Sequence, residues 1–324
     1  MIEQLAGQTV FVTGATGFIG GHVVRRLVQS GTHPIALERT PGKGDTLREA
    51  GITVVRGDIT DHERIGAVLR DHDIDVVMHL AAWLRGRPFA NYQRVNVEAT
   101  RALAEHCAAH DARLVYVSSI MVYGFQRDTD VDERTPVAPY GDPYGDSKIR
   151  SEEALRDAPG EIVIVRPGMV YGPGSLPWTK RPAKWAKEGR IPLIDGGRGS
   201  AYPVYVDNLI DMLFLAAVHP DASGETFNAV DDAPATLSEF LGAYMRMADT
   251  SRALRIPGWI VAAGALVADP FLPAYNYRNV VDQMRGTGRI SNEKAKRVLG
   301  WKPRVDPEEA FRRSEAWLRD ENIL

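Results

Sequence analysis

The chain is nearly without cysteine. Cys107 stands alone among 324 residues, so no disulfide can close within the chain and no cysteine-built zinc site can form. That usage fits a reducing compartment. Charge of one sign is also missing: 39 Lys and Arg against 42 Asp and Glu leave a formal net charge of −3. The two signs are interspersed, without the basic footprint that nucleic-acid binding leaves. No apolar run is long enough to cross a bilayer. The longest of note, Ile256–Ala268, has about 13 residues where a span needs roughly 20. Its length favours a buried helix over a surface-seeking one. The opening Met1-Ile2-Glu3-Gln4-Leu5 lacks the basic and then apolar pattern of a secretory signal. A cytoplasmic protein is expected, with no internal repeat or low-complexity tract.

What is present is an alternation. Apolar runs at Thr9–Thr13, Pro34–Leu37, Thr53–Arg56, Val76–Leu80, Leu114–Ser118 and Ile162–Arg166 are separated by amphipathic stretches near 18–30, 61–71, 91–110 and 144–157. Near-continuous apolar strands between helical segments predict an α/β fold of the Rossmann type, a doubly wound parallel sheet covered on both faces. After Arg166 proline and glycine become frequent, and helical patterns return only near 207–218, 237–248, 291–299 and 306–319. The expected organisation is a dinucleotide-binding domain over 1–168 and a smaller C-terminal substrate-binding lobe over 169–324. Segments near 203–230 are expected to return to the sheet domain.

The first strand runs into Gly14-Ala15-Thr16-Gly17-Phe18-Ile19-Gly20, followed by helical spacing of Val23, Val24, Leu27 and Val28. A glycine turn between strand and helix lets backbone N–H groups and the positive helix end meet a pyrophosphate. Glu38 and Arg39 lie at the tip of the second strand. A carboxylate there accepts from both adenosine ribose hydroxyls and repels a 2′-phosphate, whereas an arginine attracts one. The chain offers both, so NAD is favoured and NADP stays open.

Tyr144 and Lys148 are four apart, which on a helix places them on one face. A cation near a phenol lowers its pKa from about 10. Bringing it to about 7 needs roughly 4 kcal/mol of differential stabilisation, and the pair reads as an acid–base unit for an oxygen-bound proton. His106 and His110 are also i,i+4, but with no third ligand in reach no metal site is expected. Cys107 reads as a packed helix residue rather than a nucleophile.

With turn and pair in place, the chain resembles the extended short-chain dehydrogenase/reductase family over essentially its whole length. The matching stretches include Thr13–Gly20, Gly57-Asp58-Ile59, His79-Leu80-Ala81-Ala82, Asn96-Val97, Val117-Ser118-Ser119, Val122-Tyr123-Gly124, Tyr144-x-x-x-Lys148, Arg166–Pro173 and Tyr205-Val206-Asp207-Asn208. The resemblance implies Tyr144 as acid–base residue, with Lys148 holding the nicotinamide ribose and lowering the Tyr144 pKa. Ser119 would orient the substrate oxygen. It further implies cofactor contacts from Gly14, Thr16, Gly17, Phe18, Ile19 and Gly20, and an adenine pocket lined by Asp58 and Ile59. Leu80, Ala81 and Ala82 would run beside the pyrophosphate and ribose, and Pro167, Gly168 and Val170 beside the nicotinamide. Asn96 is expected either at the cofactor or as a brace. A homodimer built on the helices near 91–110 and 144–157 is implied as well.

Sugar dehydratases of that family carry an Asp-Glu pair directly after the serine or threonine; here Ile120 and Met121 stand there and cannot move protons. Lys180, Arg181 and Lys184 between Trp178 and Trp185, with Arg198 beyond, either grip a diphosphate or form a solvated face. The stretch Ile256–Val261 is similar to that of the hydroxysteroid- and flavonol-type reductases. The expected reaction is hydride transfer between NAD(P) and a small, partly apolar alcohol or ketone. The alternative is a nucleotide-sugar epimerase or related sugar-modifying enzyme with tightly bound NAD.

Overall fold

A computed structural model describes residues 5–84, 86, 88, 90–124, 129–233, 235–268 and 284–324. Its centre is a seven-stranded parallel sheet. The strands are β1 (Thr9–Thr13), β2 (His33–Glu38), β3 (Thr53–Arg56), β4 (Val76–His79), β5 (Arg113–Val117), β6 (Ile162–Pro167) and a late strand, Thr226–Ala229. Their order across the sheet is β3-β2-β1-β4-β5-β6 and then the late strand, so the order reverses beside β1. The doubly wound sheet expected from the alternation is therefore present.

Strand periodicity decides what each face buries. Val10, Val12, Val76, Met78, Val115 and Val117 enter one core, with Val23, Val24 and Leu27 of α1 (Phe18–Gln29). Their neighbours Phe11, Val77, Leu114 and Tyr116 enter the other. There they meet Ile65, Val68 and Leu69 of α3 (His62–Asp71), which follows the short α2 (Asp45–Glu49), and Leu103 and Cys107 of α4 (Ala99–Ala109). Alternate side chains point to opposite faces, so both faces need a helical cover. Cys107 is buried there, and burial pushes its thiol up to about 12. It is a packed residue. The predicted helix near 91–110 divides into a π-helical segment, Tyr92–Glu98, and α4.

Helix starts are capped by side chains at several places. Asp61 accepts from Arg64 N–H at the start of α3, and Asp142 accepts from Gly145 N–H at the start of α5 (Pro143–Arg156), with Pro143 in its first turn. These caps fill orphan donors. The start of α1 is different: Gly17 has no capping side chain.

Beyond β6 the chain builds β7 (Met169–Tyr171), α6 (Arg181–Lys187), β8 (Ile191–Ile194), β9 (Ser200–Ala201), β10 (Pro203–Tyr205), α7 (Val206–Val218), β11 (Thr226–Ala229, the late strand), β12 (Ala235–Thr236), α8 (Leu237–Met247), β13 (Ala253–Ile256) and α9 (Gly258–Ala268). Three small two-stranded sheets, β7 with β10, β8 with β13 and β9 with β12, stand where looped structure was expected. Runs of two to four residues between prolines and glycines are too short to express a period. The basic stretch 178–185 is helical rather than looped, a π-turn at Leu176–Lys180 followed by α6. An aromatic cluster of Tyr171, Tyr205, Phe240, Tyr244 and Phe311, with ring centroids 5.1–5.8 Å apart, forms the core of this part. Asn208 ties it to the segment that leads into the C-terminal helix Pro307–Asp320. Its amide donates to Asp231 Oδ1 and Val305 O, its Oδ1 accepts from Arg304 and Val305 N–H, and its carbonyl accepts from Trp301 Nε1.

The apolar run at 256–268 departs from expectation. It forms α9, but Trp259 is 71% and Ile260 45% exposed. Length alone assumed a neighbour to bury against, and among the described elements none packs along α9.

Candidate active site

The glycine turn is closed by backbone contacts. Gly14 has φ +71°, and a Cβ there would come within 2.8 Å of Ala81 N and 2.9 Å of Leu80 C. A Cβ on Gly20 would overlap the Gly14 carbonyl. Gly17 N–H donates to Gly14 O at 2.9 Å. Thr16 and Gly17 stand exposed at the tip, with Phe18 and Ile19 half-buried behind. A helix start without a capping side chain, reached over a backbone with no side-chain bulk, fits a bound pyrophosphate.

Thr13, directly before the turn, is wired to the next strand. Its Oγ1 meets His79 Nδ1 at 2.7 Å and accepts from Ala81 N–H at 3.2 Å; His79 Nε2 meets Thr100 Oγ1 at 2.9 Å. Burial, reinforced by the Lys148 charge, pulls His79 down to about 3 and keeps it neutral. Leu80, Ala81 and Ala82 follow, half-buried, along the rim.

Glu38 is buried at the end of β2, where its carboxylate accepts from Gly44 N–H at 2.8 Å and from Arg48 Nη1 and Nη2 at 3.4 and 2.6 Å. The Arg48 hydrogen bond holds its pKa below the usual range. With a further backbone contribution from Gly42, most of the acceptor positions of this carboxylate are thus engaged from within the chain. Arg39 is exposed. Asp58 closes its own turn by accepting from Thr60 N–H and Oγ1, and Ile59 is buried beside it.

Ser119 begins a short 3₁₀ turn after β5, where its hydroxyl accepts from Met121 N–H. It lies close enough to Tyr144 to lower the pKa of that phenol. Tyr144 and Lys148 sit in α5, with the Lys148 ammonium 5.8 Å from the Tyr144 ring centroid. That ammonium donates to Val117 O at 2.7 Å and to the Tyr116 hydroxyl at 3.1 Å. Two of its three donors are used. Asn96 is a brace: it accepts from Trp83 N–H at 2.6 Å, donates to Trp83 O and to Ser147 Oγ, and its carbonyl accepts from Ser151. It thereby pins the segment after Ala82 to α5. Pro167 ends β6, the Gly168 N–H donates to Ala229 O, and Val170 is buried in β7.

One electrostatic expectation is overturned. Tyr144 is pushed up to about 12, because burial outweighs the lowering by Ser119, while Asp142 and Tyr92 raise it further. Burial also drives Lys148 down to about 7 against the opposing pull of Glu152. A lysine that gives up much of its own charge is a weak lever on its neighbour.

The residue that the motifs missed is Glu152. It extends the Tyr144–Lys148 face by another four residues and is 3% exposed. Its carboxylate accepts from Ser118 Oγ at 2.5 Å and from Arg166 Nε at 3.0 Å and Nη2 at 2.5 Å. Arg166 Nη1 donates to the Tyr123 hydroxyl at 2.7 Å, which in turn donates to Asn228 Oδ1 at 2.7 Å. The i, i+4, i+8 spacing of 144, 148 and 152 was the available signal.

Ile120 is buried and Met121 half-buried, with no proton-transferring group at either. Lys180, Lys184 and Arg198 are exposed and Arg181 half-buried. Among the described residues no cluster of His, Cys, Asp or Glu is arranged for a metal ion, and no helix is long and apolar enough to cross a membrane.

The NAD dependent epimerase/dehydratase family model matches residues 10–229. The UDP-glucose 4-epimerase of Vibrio cholerae is 27% identical, covering 97% of this chain and 97% of that one. The 2-alkyl-3-oxoalkanoate reductase of Stenotrophomonas maltophilia is also 27% identical, over 95% and 98%. Among solved structures, the epimerase Mth375 of Methanothermobacter thermautotrophicus aligns with a TM-score of 0.82 at 22% identity, over 99% and 96%.

Proposed function

The chain belongs to the NAD-dependent epimerase/dehydratase family, and on that premise we propose that it transfers a hydride between NAD and a small, partly apolar alcohol or ketone. Tyr144 moves the proton. The placement of Tyr144 beside Ser119, whose hydroxyl lowers its pKa, with the Lys148 ammonium 5.8 Å from its ring carries this reading. NAD, when bound, supplies the hydride acceptor or donor. Gly14, Thr16, Gly17, Phe18, Ile19 and Gly20 take its pyrophosphate, and Glu38 stands at the adenosine ribose. Asp58 and Ile59 flank the adenine. Leu80, Ala81 and Ala82 form the rim that Asn96 holds in place. Pro167, Gly168 and Val170 back the nicotinamide, and the third donor of Lys148 is directed to its ribose.

Ser119 orients the substrate oxygen, and Tyr144 gives it a proton in reduction or removes one in oxidation. A phenol at about 12 is protonated near neutral pH, the form that donates in reduction. Ile120 and Met121 after Ser119 carry no proton-transferring group, which argues against dehydration. The full-length likeness to an epimerase supports the second reading, transient oxidation of a nucleotide sugar. Residues 1–168 are assigned to the cofactor and 169–324 to the substrate lobe, the pairing of β11 with β6 supporting a return of 203–230 to the sheet domain.

A cytoplasmic homodimer through the helices near 91–110 and 144–157 completes the proposal. Their exposed Arg101, Glu105, Arg150 and Glu153 offer complementary charges. Light scattering should then give twice the 35.7 kDa chain mass. The reaction is tested by following absorbance at 340 nm with a panel of ketones and alcohols. Net cofactor turnover is expected; conversion of a UDP-sugar without net turnover would establish the epimerase instead.

A further inference from the structure

Beyond the reaction, we propose that α9 docks the protein on an anionic lipid bilayer by entering one leaflet. Every residue from Gly258 to Ala268 is apolar, so the helix has no polar side to turn to water. Such a helix is ordinarily buried, yet Trp259 is 71% and Ile260 45% exposed, and among the described elements none packs along it. Its base is fixed: Gly258 N–H donates to Asp195 Oδ1 at 2.6 Å, and Asp195 also pairs with Arg285 at 2.7 Å. The helix is thus held at one end.

Its length suits immersion. Eleven residues rise about 16 Å, close to half of the roughly 30 Å hydrocarbon core and too short to span it. A helix lying flat on a membrane needs a polar face, and α9 has none. Trp259 sits in the first turn, at the depth where indole rings favour the interface. The adjoining strand β13 supplies Arg252 just before it and Arg255 within it, both exposed, with Leu254 between them 52% exposed. Neither arginine has an acidic partner among the described residues. They lie at headgroup level when α9 is immersed, where anionic lipid attracts them. A second copy is a poorer occupant, since a two-fold contact through this patch brings like charges together. It would also bury one helix and a strand edge, less than the roughly 800 Å² per partner of a stable interface.

The test is co-sedimentation of the full chain with phosphatidylcholine vesicles, with and without phosphatidylglycerol. Strong partitioning into the anionic vesicles and quenching of Trp259 by brominated acyl chains are expected. The double variant Trp259→Glu/Ile260→Glu should lower partitioning by tenfold or more while NAD affinity, the check on folding, is kept. Arg252→Gln/Arg255→Gln should lose about thirtyfold on anionic vesicles and little on neutral ones. Failure of the wild type to partition overturns the proposal, as does a glutamate variant that partitions like the wild type. A dimer in vesicle-free solution that the glutamate variant abolishes also overturns it, in favour of a second copy.

Discussion

The two halves of the molecule are held together in different ways. Around Tyr144 the first half buries charge: Lys148, Glu152 and Arg166 are 2%, 3% and 6% exposed, Glu152 and Arg166 joined by hydrogen bonds at 2.5–3.2 Å and Lys148 bonded to Val117 O and the Tyr116 hydroxyl. The second half buries rings, with Tyr171, Phe240, Tyr244 and Phe311 in edge and tilted contact, and leaves Lys180, Lys184 and Arg198 in water. A hydrogen-bonded ionic network has one low-energy geometry and suits groups that must be placed to fractions of an ångström. Aromatic packing tolerates substitution of similar volume. On the proposed assignment of residues 169–324 to the substrate, chemistry and selectivity would be built from different forces.

The largest expected break is Tyr144→Phe, which should lower kcat about 10²–10⁴-fold with the fold intact by circular dichroism. Near-full activity would move the acid–base role elsewhere. Next is Glu152→Ala. It strands a buried guanidinium and should destabilise by about 3–5 kcal/mol in urea unfolding, whereas Glu152→Gln keeps part of the hydrogen bonding and loses less. The third test is pH. Lys148 titrates near 7 when folded and at its ordinary 10.5 when unfolded. Between these values the unfolded chain holds the extra proton, so stability rises with pH across that window. Lys148→Met should remove the rise. The smallest effect belongs to the ring cluster: Phe240→Leu should cost under about 1.5 kcal/mol, shifting KM for the organic substrate and leaving NAD affinity unchanged. A change in NAD affinity of the same size would erase the division between the halves.

The sheet was legible because its strands are nearly continuous apolar runs, and the turn because Gly14, Gly17 and Gly20 precede a helical pattern. Tyr144 and Lys148 were legible from helix spacing. The pairing of Glu152 with Arg166 was not, because the sequence does not reveal which buried charges meet when a helix lies across a strand. The Tyr144 pKa was misjudged for a related reason: the cation was visible in the sequence and the depth of burial was not. The exposure of α9 escaped because apolar composition reports what a helix prefers, not what is nearby.

Asn208 has a consequence for synthesis. Its side chain is fully buried, and three of its partners, the Trp301 indole and the backbones of Arg304 and Val305, lie almost a hundred residues downstream. While the ribosome is still making that stretch, α7 carries an amide prepared for bonds that do not yet exist. That side of α7 therefore completes its hydrogen bonding only when the stretch from Trp301 to Val305 has been made.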